Sequence, residues 1–500
     1  MAIATPSRGK PCHLCSGSTS LDETLPRDSR VPPIHGLPTE IVAQILGCLD
    51  SRSLLSTILA HPLFHATFQL FQQHVLKEIL LRLVPPQLLP LAFATYEAES
   101  IDYSDWNRIR RLLDRVHVGQ GQAASSPSPG LRLPPFPLTH RMVAAIERVH
   151  RMVEYFTHDL TRQAIPRFNH IFETIRPATI SPSEELRILR AFYRFQLYCN
   201  IFGRKAIDSA RQANLTAPES ENWEDRWARM ELSRNAREKN TRRELKSFFW
   251  PWPPWANEQL ACVFEYLETV ITVFFDDVAA HDVEWGWRKV DWVEPNIAIP
   301  HRRFLLFNGL GLPYRLRHSD EFEIWKSLLD SADVGGTGTG KECIVTMARS
   351  LTESVAGRNS LIRLGLYNIN YPRGLEGQAS WEGIDDAETL PAQLWKVANG
   401  PYGSVLDRTN LLVRDAGYVF WDGYVGEAAE VMERVENCSW TFNGRLFPHE
   451  IPKLRRAMRR SWEKRSKIWL EGGRGYWVDD RARIPSRKDS LLDLPLQMGN

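Results

Sequence analysis

Three short stretches of this 500-residue chain carry residue types at spacings that could do chemistry. The first is Gly335-Gly336-Thr337-Gly338-Thr339-Gly340-Lys341. It has the spacing of a loop whose backbone amides cradle a phosphate while the lysine meets it. The next position should carry a hydroxyl for Mg²⁺. Here it is Glu342, which sets a negative charge beside the phosphates. Such a loop should also leave a buried strand, whereas Leu328 to Val334 reads as polar and helical. The expectation is a surface loop. The second stretch is Phe274-Phe275-Asp276-Asp277, whose acids could face an Mg²⁺ ion. A further carboxylate is needed at position 280. That residue is Ala280, and Asp282 lies two positions off the face. Solvated acids at the end of a buried helix are expected. The third is Cys12-His13-Leu14-Cys15, with zinc-type spacing but no second ligand pair to complete a tetrahedral set. No Gly-x-Ser-x-Gly elbow or His-Glu-x-x-His pair occurs. The residues predict no catalysis, no cofactor and no bound metal.

Two further stretches have the chemistry of contact surfaces. Lys453, Arg455, Arg456, Arg459, Arg460, Lys464, Arg465 and Lys467 form a basic run interleaved with Leu454, Met458, Trp462, Ile468 and Trp469. The solvated face of an amphipathic helix is expected. Phe248-Phe249-Trp250-Pro251-Trp252-Pro253-Pro254-Trp255 is an aromatic cluster just ahead of the most apolar helix. Packing against that helix is expected.

The elements that position these residues are mostly helices. Leu260, Val263, Phe264, Leu267, Val270, Ile271, Val273, Phe274 and Phe275 trace a core helix. Met142, Val143, Ile146, Val149, Met152, Val153 and Phe156 trace another, and Ile188, Leu189, Phe192, Phe195 and Leu197 a third. Leu88 to Val118 predicts one or two helices, and Trp223 to Lys246 a charged one. Strand alternation is scarce. The length implies two or three domains. Hydrophobic residues at 43% and charged residues at 24% match a globular chain. A net charge of +2 argues against a dedicated nucleic-acid binder. Seven scattered cysteines, with no secretory leader, predict reduced thiols in the cytoplasm or nucleus. No run is long and apolar enough to predict a membrane span.

Near the N-terminus, Gly36-Leu37-Pro38-Thr39-Glu40-Ile41-Val42-Ala43-Gln44-Ile45-Leu46-Gly47-Cys48-Leu49-Asp50 precedes Leu54, Leu55, Ile58 and Leu59. Pro38 suits the first turn of a helix, and Glu40 suits its positive end. Ile41, Val42, Ile45, Leu46 and Leu49 form one apolar stripe. Asp50 or Ser51 can cap the next helix. His61-Pro62 ends that helix, because a residue before proline is pushed out of helical geometry. A third amphipathic stretch runs from Leu63 to about Val84, and Pro85-Pro86 stops it.

This pattern resembles the F-box. Pro254-Trp255-Ala256-Asn257-Glu258-Gln259-Leu260-Ala261-Cys262 and Gly417-Tyr418-Val419-Phe420-Trp421-Asp422 look like phrases from a broad group of filamentous-fungal F-box proteins with helical C-terminal regions. The third stretch departs from the family. It reads His61-Pro62-Leu63-Phe64-His65-Ala66-Thr67-Phe68, which keeps aromatic bulk and loses a basic residue. The resemblance implies a mainly α fold with an N-terminal three-helix F-box-like module and a large, mostly helical C-terminal region. It implies a non-catalytic substrate receptor of a Skp–cullin–F-box ubiquitin ligase. The receptor would dock on the Skp adaptor, reach cullin and RING subunits through it, and present a client protein. Leu37, Pro38, Ile41, Ile45, Leu46, Leu49, Leu54 and Leu55 are the candidates for the adaptor contact, shared with the module's own core. The organisation expected is a disordered tail over 1–35, the module over 36–84, a helical extension over 85–118 and a flexible linker over 119–138. A helical client-binding domain over 139–470 and a tail over 471–500 complete it. The open alternatives are a Skp-binding protein outside a ligase and a helical Mg-dependent enzyme.

Overall fold

The computed structural model describes residues 36–102, 105–125, 137–172, 179–203, 245–249, 251–283, 285–286, 304–332, 413–422 and 451–471, with residues 302, 391, 393 and 394. Every regular element among the described residues is helical, so the fold is mainly α. The chain packs as two units, one ending at Val75 and the other beginning at Leu76.

In the first unit, α1 (Thr39–Gly47) buries Val42, Ala43 and Leu46. Pro38 stands one residue ahead of α1, with φ −54° and ψ 142°, rather than inside its first turn. Its carbonyl accepts the Ile41 and Val42 amides, so the ring still sets the start of the helix. Asp50 caps α2 (Ser51–Ala60) by accepting the Ser53 amide at 2.6 Å. Such a cap contributes about 1 kcal/mol. His61 takes extended geometry and ends α2 before Pro62. α3 (Pro62–Leu83) then runs across the division between units and is kinked at Phe71, where φ is −112° and ψ 20°.

The second unit begins in α3 and continues through a short 3₁₀ turn (Pro86–Leu88) into α4 (Leu89–Ala98). α5 (Trp106–Ser125) follows, so Leu88 to Val118 holds two helices, and α5 runs into the stretch read as a linker. α6 is His140–Phe172 and α7 is Pro182–Tyr198. α7 packs against α4, α6 and α8 (Pro254–His281), and is buried nearly throughout. Its start is fixed by a capping box: the Ser181 hydroxyl accepts the Glu184 amide and the Glu184 carboxylate accepts the Ser181 amide. α8 is the apolar helix foreseen from its sequence, with Leu260, Val263, Phe264, Leu267, Ile271, Phe275 and Val278 sealed from solvent. α9 (Gly311–Arg317), α10 (Phe322–Ala332) and α11 (Ile451–Leu470) pack on it. Phe248, Phe249, Trp252 and Trp255 are buried, as the packing reading requires. Tyr198 and Phe202 receive Phe248, and Tyr198 also meets Phe249. No single described helix is long and apolar enough to cross a membrane.

Candidate functional site

The candidates for the adaptor contact divide into three sets. Leu46 and Leu54 have no exposure. Leu37 and Leu49 are half-buried, and Pro38 is exposed. Ile41, Ile45 and Leu55 are 41%, 43% and 44% exposed. The apolar stripe of α1 is therefore wider than the surface it packs on. Val42, Ala43 and Leu46 turn inward, while Ile41 and Ile45 stand one helical turn apart on the outer side. α2 repeats the pattern. Leu54 and Ile58 are buried, and Leu55 and Leu59 are exposed, Leu59 at 74%. The sequence reading did not single out Leu59 as a contact residue, although its i+4 spacing from Leu55 could have flagged it. Exposed apolar pairs of this kind cost hydration free energy unless something covers them.

The acids read as possible Mg²⁺ ligands are engaged in ion pairs and a cap. Asp276 pairs with Arg302 at 3.2 Å, and the Asp277 carboxylate lies 3.6 Å from the His281 ring. Asp282 caps the turn after α8, accepting the Trp285 amide at 2.7 Å and pairing with Lys326 at 2.6 Å. Among the described residues, no group of three or more His, Cys, Asp or Glu is arranged to hold a metal ion. Gly335 to Glu342, Cys12 to Cys15 and most of Trp223 to Lys246 lie outside the described residues.

The basic run forms α11. Arg456, Arg459, Arg460, Lys464 and Lys467 are exposed, as a solvated face should be. Among the described side chains of the run Arg465 is the exception, with no residue exposure. Its guanidinium lies 3.5 Å from the Ala279 carbonyl, and burial lowers its pKa to about 10.

A buried polar network in the second unit escaped the sequence reading. Arg187, Arg190 and Arg194 recur at i, i+3 and i+7 on α7, and all three are buried. Arg194 donates to the Ala256 carbonyl at 2.6 Å and to Asn257 Oδ1 at 2.7 Å, and it lies 4.1 Å from the Trp252 ring centroid. Arg187 reaches the segment 413–422. It donates to the Phe420 carbonyl at 3.0 Å and pairs with the Asp422 carboxylate at 2.7 Å. Gln259 on α8 donates to the Val419 carbonyl at 3.0 Å. Arg414 forms a forked pair with Glu258, at 2.7 and 3.1 Å, and Glu265 lies 3.9 Å away. Gly417 makes the turn at φ +62°, where a side chain would press on Phe420 and Trp421. The segment is thus held by side chains that grip its main chain, with Tyr418, Val419, Phe420 and Trp421 filling the space between.

Asp422 is the outermost anchor, at 37% side-chain exposure. Burial pushes its pKa up, but hydrogen bonds from Arg187 and Ser183 and the Arg187 charge outweigh that. The net value falls below the ordinary 3.8. A depressed folded value means the ionised carboxylate adds stability above the unfolded pKa, and that contribution is lost as pH falls through the folded value. We expect the stability gap between wild type and Asp422→Asn, read as urea midpoints, to be full at neutral pH and to shrink as acidification passes below the ordinary carboxylate value of 3.8. A gap of constant size would contradict the ionised anchor.

No protein-family profile, curated protein or solved structure matches the chain.

Proposed function

We propose that this chain is a substrate receptor of a Skp–cullin–F-box ubiquitin ligase. The first unit docks on the Skp adaptor, and the second unit holds a client. The observation that carries the reading is the exposed apolar set Ile41, Ile45 and Leu55, beside the sealed Leu46 and Leu54. An apolar set left open on two short helices is the expected footprint of an obligate partner. The F-box resemblance of residues 36–59 names that partner as the adaptor. The receptor performs no chemistry. It converts a dilute encounter between client and charged ubiquitin carrier into a local one, and the gain is effective concentration.

Co-purification of the tagged full chain tests this. The wild type should capture the adaptor and, through it, the cullin, and a Leu37→Ala/Pro38→Ala double variant that keeps its helical content should capture less. Adaptor without cullin would move the protein outside a ligase. No adaptor with either chain would sink the reading.

A further inference from the structure

Asp422 is held at the N-terminus of α7 by two serine hydroxyls and one guanidinium. Ser181 Oγ donates to Asp422 Oδ2 at 3.0 Å, and Ser183 Oγ donates to the same oxygen. Arg187 pairs with Oδ1 at 2.7 Å, and Glu184 Oε1 accepts the Asp422 amide at 2.5 Å. Ser181 is half-buried and its hydroxyl belongs to the capping box. Ser183, the second residue of α7, is exposed. One accessible hydroxyl therefore touches the carboxylate that anchors a segment some 240 residues later in the chain.

We infer that Ser183 is a phosphorylation site that releases the Asp422 end of the segment 413–422 from α7. The donor is ATP and the catalyst a protein serine kinase. The Ser183 Oγ–phosphorus bond forms, the bond from the γ-phosphorus to the β,γ-bridging oxygen breaks, ADP leaves and the hydroxyl proton passes to solvent. The product replaces a hydrogen-bond donor by a group of charge about −2. That group sits within bonding reach of the Asp422 carboxylate, and two anions cannot share the place. The phosphate has the stronger claim on it. It gains Arg187, which is nine-tenths buried and already directed there, and the first turn of α7 favours negative charge. Of its contacts named above, Asp422 would lose Ser183 and Arg187 and keep the Ser181 hydroxyl and its amide bond to Glu184. This inference does not depend on what the first unit docks to.

The experiment uses the full chain, phosphorylated with Mg-ATP and a serine kinase and compared with unmodified protein. Mass spectrometry reads occupancy at Ser183, and hydrogen exchange reads the Asp422 amide. Exchange at Asp422 should rise by at least about fivefold in the phosphorylated chain. The same modification in an Asp422→Asn background should produce little of that rise, since no carboxylate is left to repel. No phosphate at Ser183 in the folded chain would overturn the site. Full occupancy with unchanged exchange would overturn the release. A rise of equal size in Asp422→Asn would assign the effect to α7 itself, and would overturn the mechanism.

Discussion

Arg414→Ala is expected to destabilise the second unit by about 3–5 kcal/mol, the cost of stranding a buried charge. The Arg414 side chain is 1% exposed, and its partners Glu258 and Glu265 are 4% and 1% exposed. Burial alone would lower the arginine's pKa, but the Glu258 and Glu265 charges reverse this and raise it above the ordinary value. The guanidinium is thus fixed as a cation. Removing it leaves Glu258 in a low-dielectric site without its forked partner, and Ala fills little of the space. Changing both partners is a different case. Arg414→Met with Glu258→Leu removes two charges and keeps apolar volume, so part of the lost stability should return, while buried Glu265 still loses its cationic neighbour. Urea midpoints of the full chain, read by far-UV circular dichroism, separate these outcomes. A loss below about 1 kcal/mol in Arg414→Ala would mean that the pair is solvated and does not anchor the segment.

The second large effect concerns binding. Ile41→Asp/Ile45→Asp should leave the first unit folded, because both side chains are already more than two-fifths exposed. It should nevertheless abolish adaptor capture. A desolvated apolar anchor at an interface contributes about 2 kcal/mol or more, so losing two weakens binding by at least about a hundredfold. Leu46→Ala makes the contrast. Leu46 has no exposure, so its truncation acts on the fold first, at about 2–5 kcal/mol.

How much of this was legible beforehand depends on where each residue's partners lie in the chain. The core helix α8 could be read directly, because apolar residues fill nearly every turn from Leu260 to Val278. The Asp50 cap was legible for the same reason: its partner, the Ser53 amide, is three residues away. The α1 stripe was legible as apolar, but not which edge of it faces inward. That depends on the other elements of the unit, and periodicity carries no information about them. The arginines of α7 were the largest omission. Arg187, Arg190 and Arg194 interleave with Ile188, Leu189 and Phe192 on one helix, and charged residues on an amphipathic helix are ordinarily solvated. Their burial is made possible by partners 62 to 233 residues away, namely the Ala256 carbonyl and the Phe420 carbonyl. Arg465 was misjudged for the same reason. Its neighbours in the basic run are exposed, and its acceptor on Ala279 lies 186 residues earlier.

The most direct measurement is the dissociation constant of the purified full chain for the Skp adaptor, set beside that of Ile41→Asp/Ile45→Asp, with helical content monitored in both. Saturable binding is expected of the wild type, weakened at least about a hundredfold in the variant with helicity unchanged. Equal binding by the two chains, or none by the wild type, would contradict it.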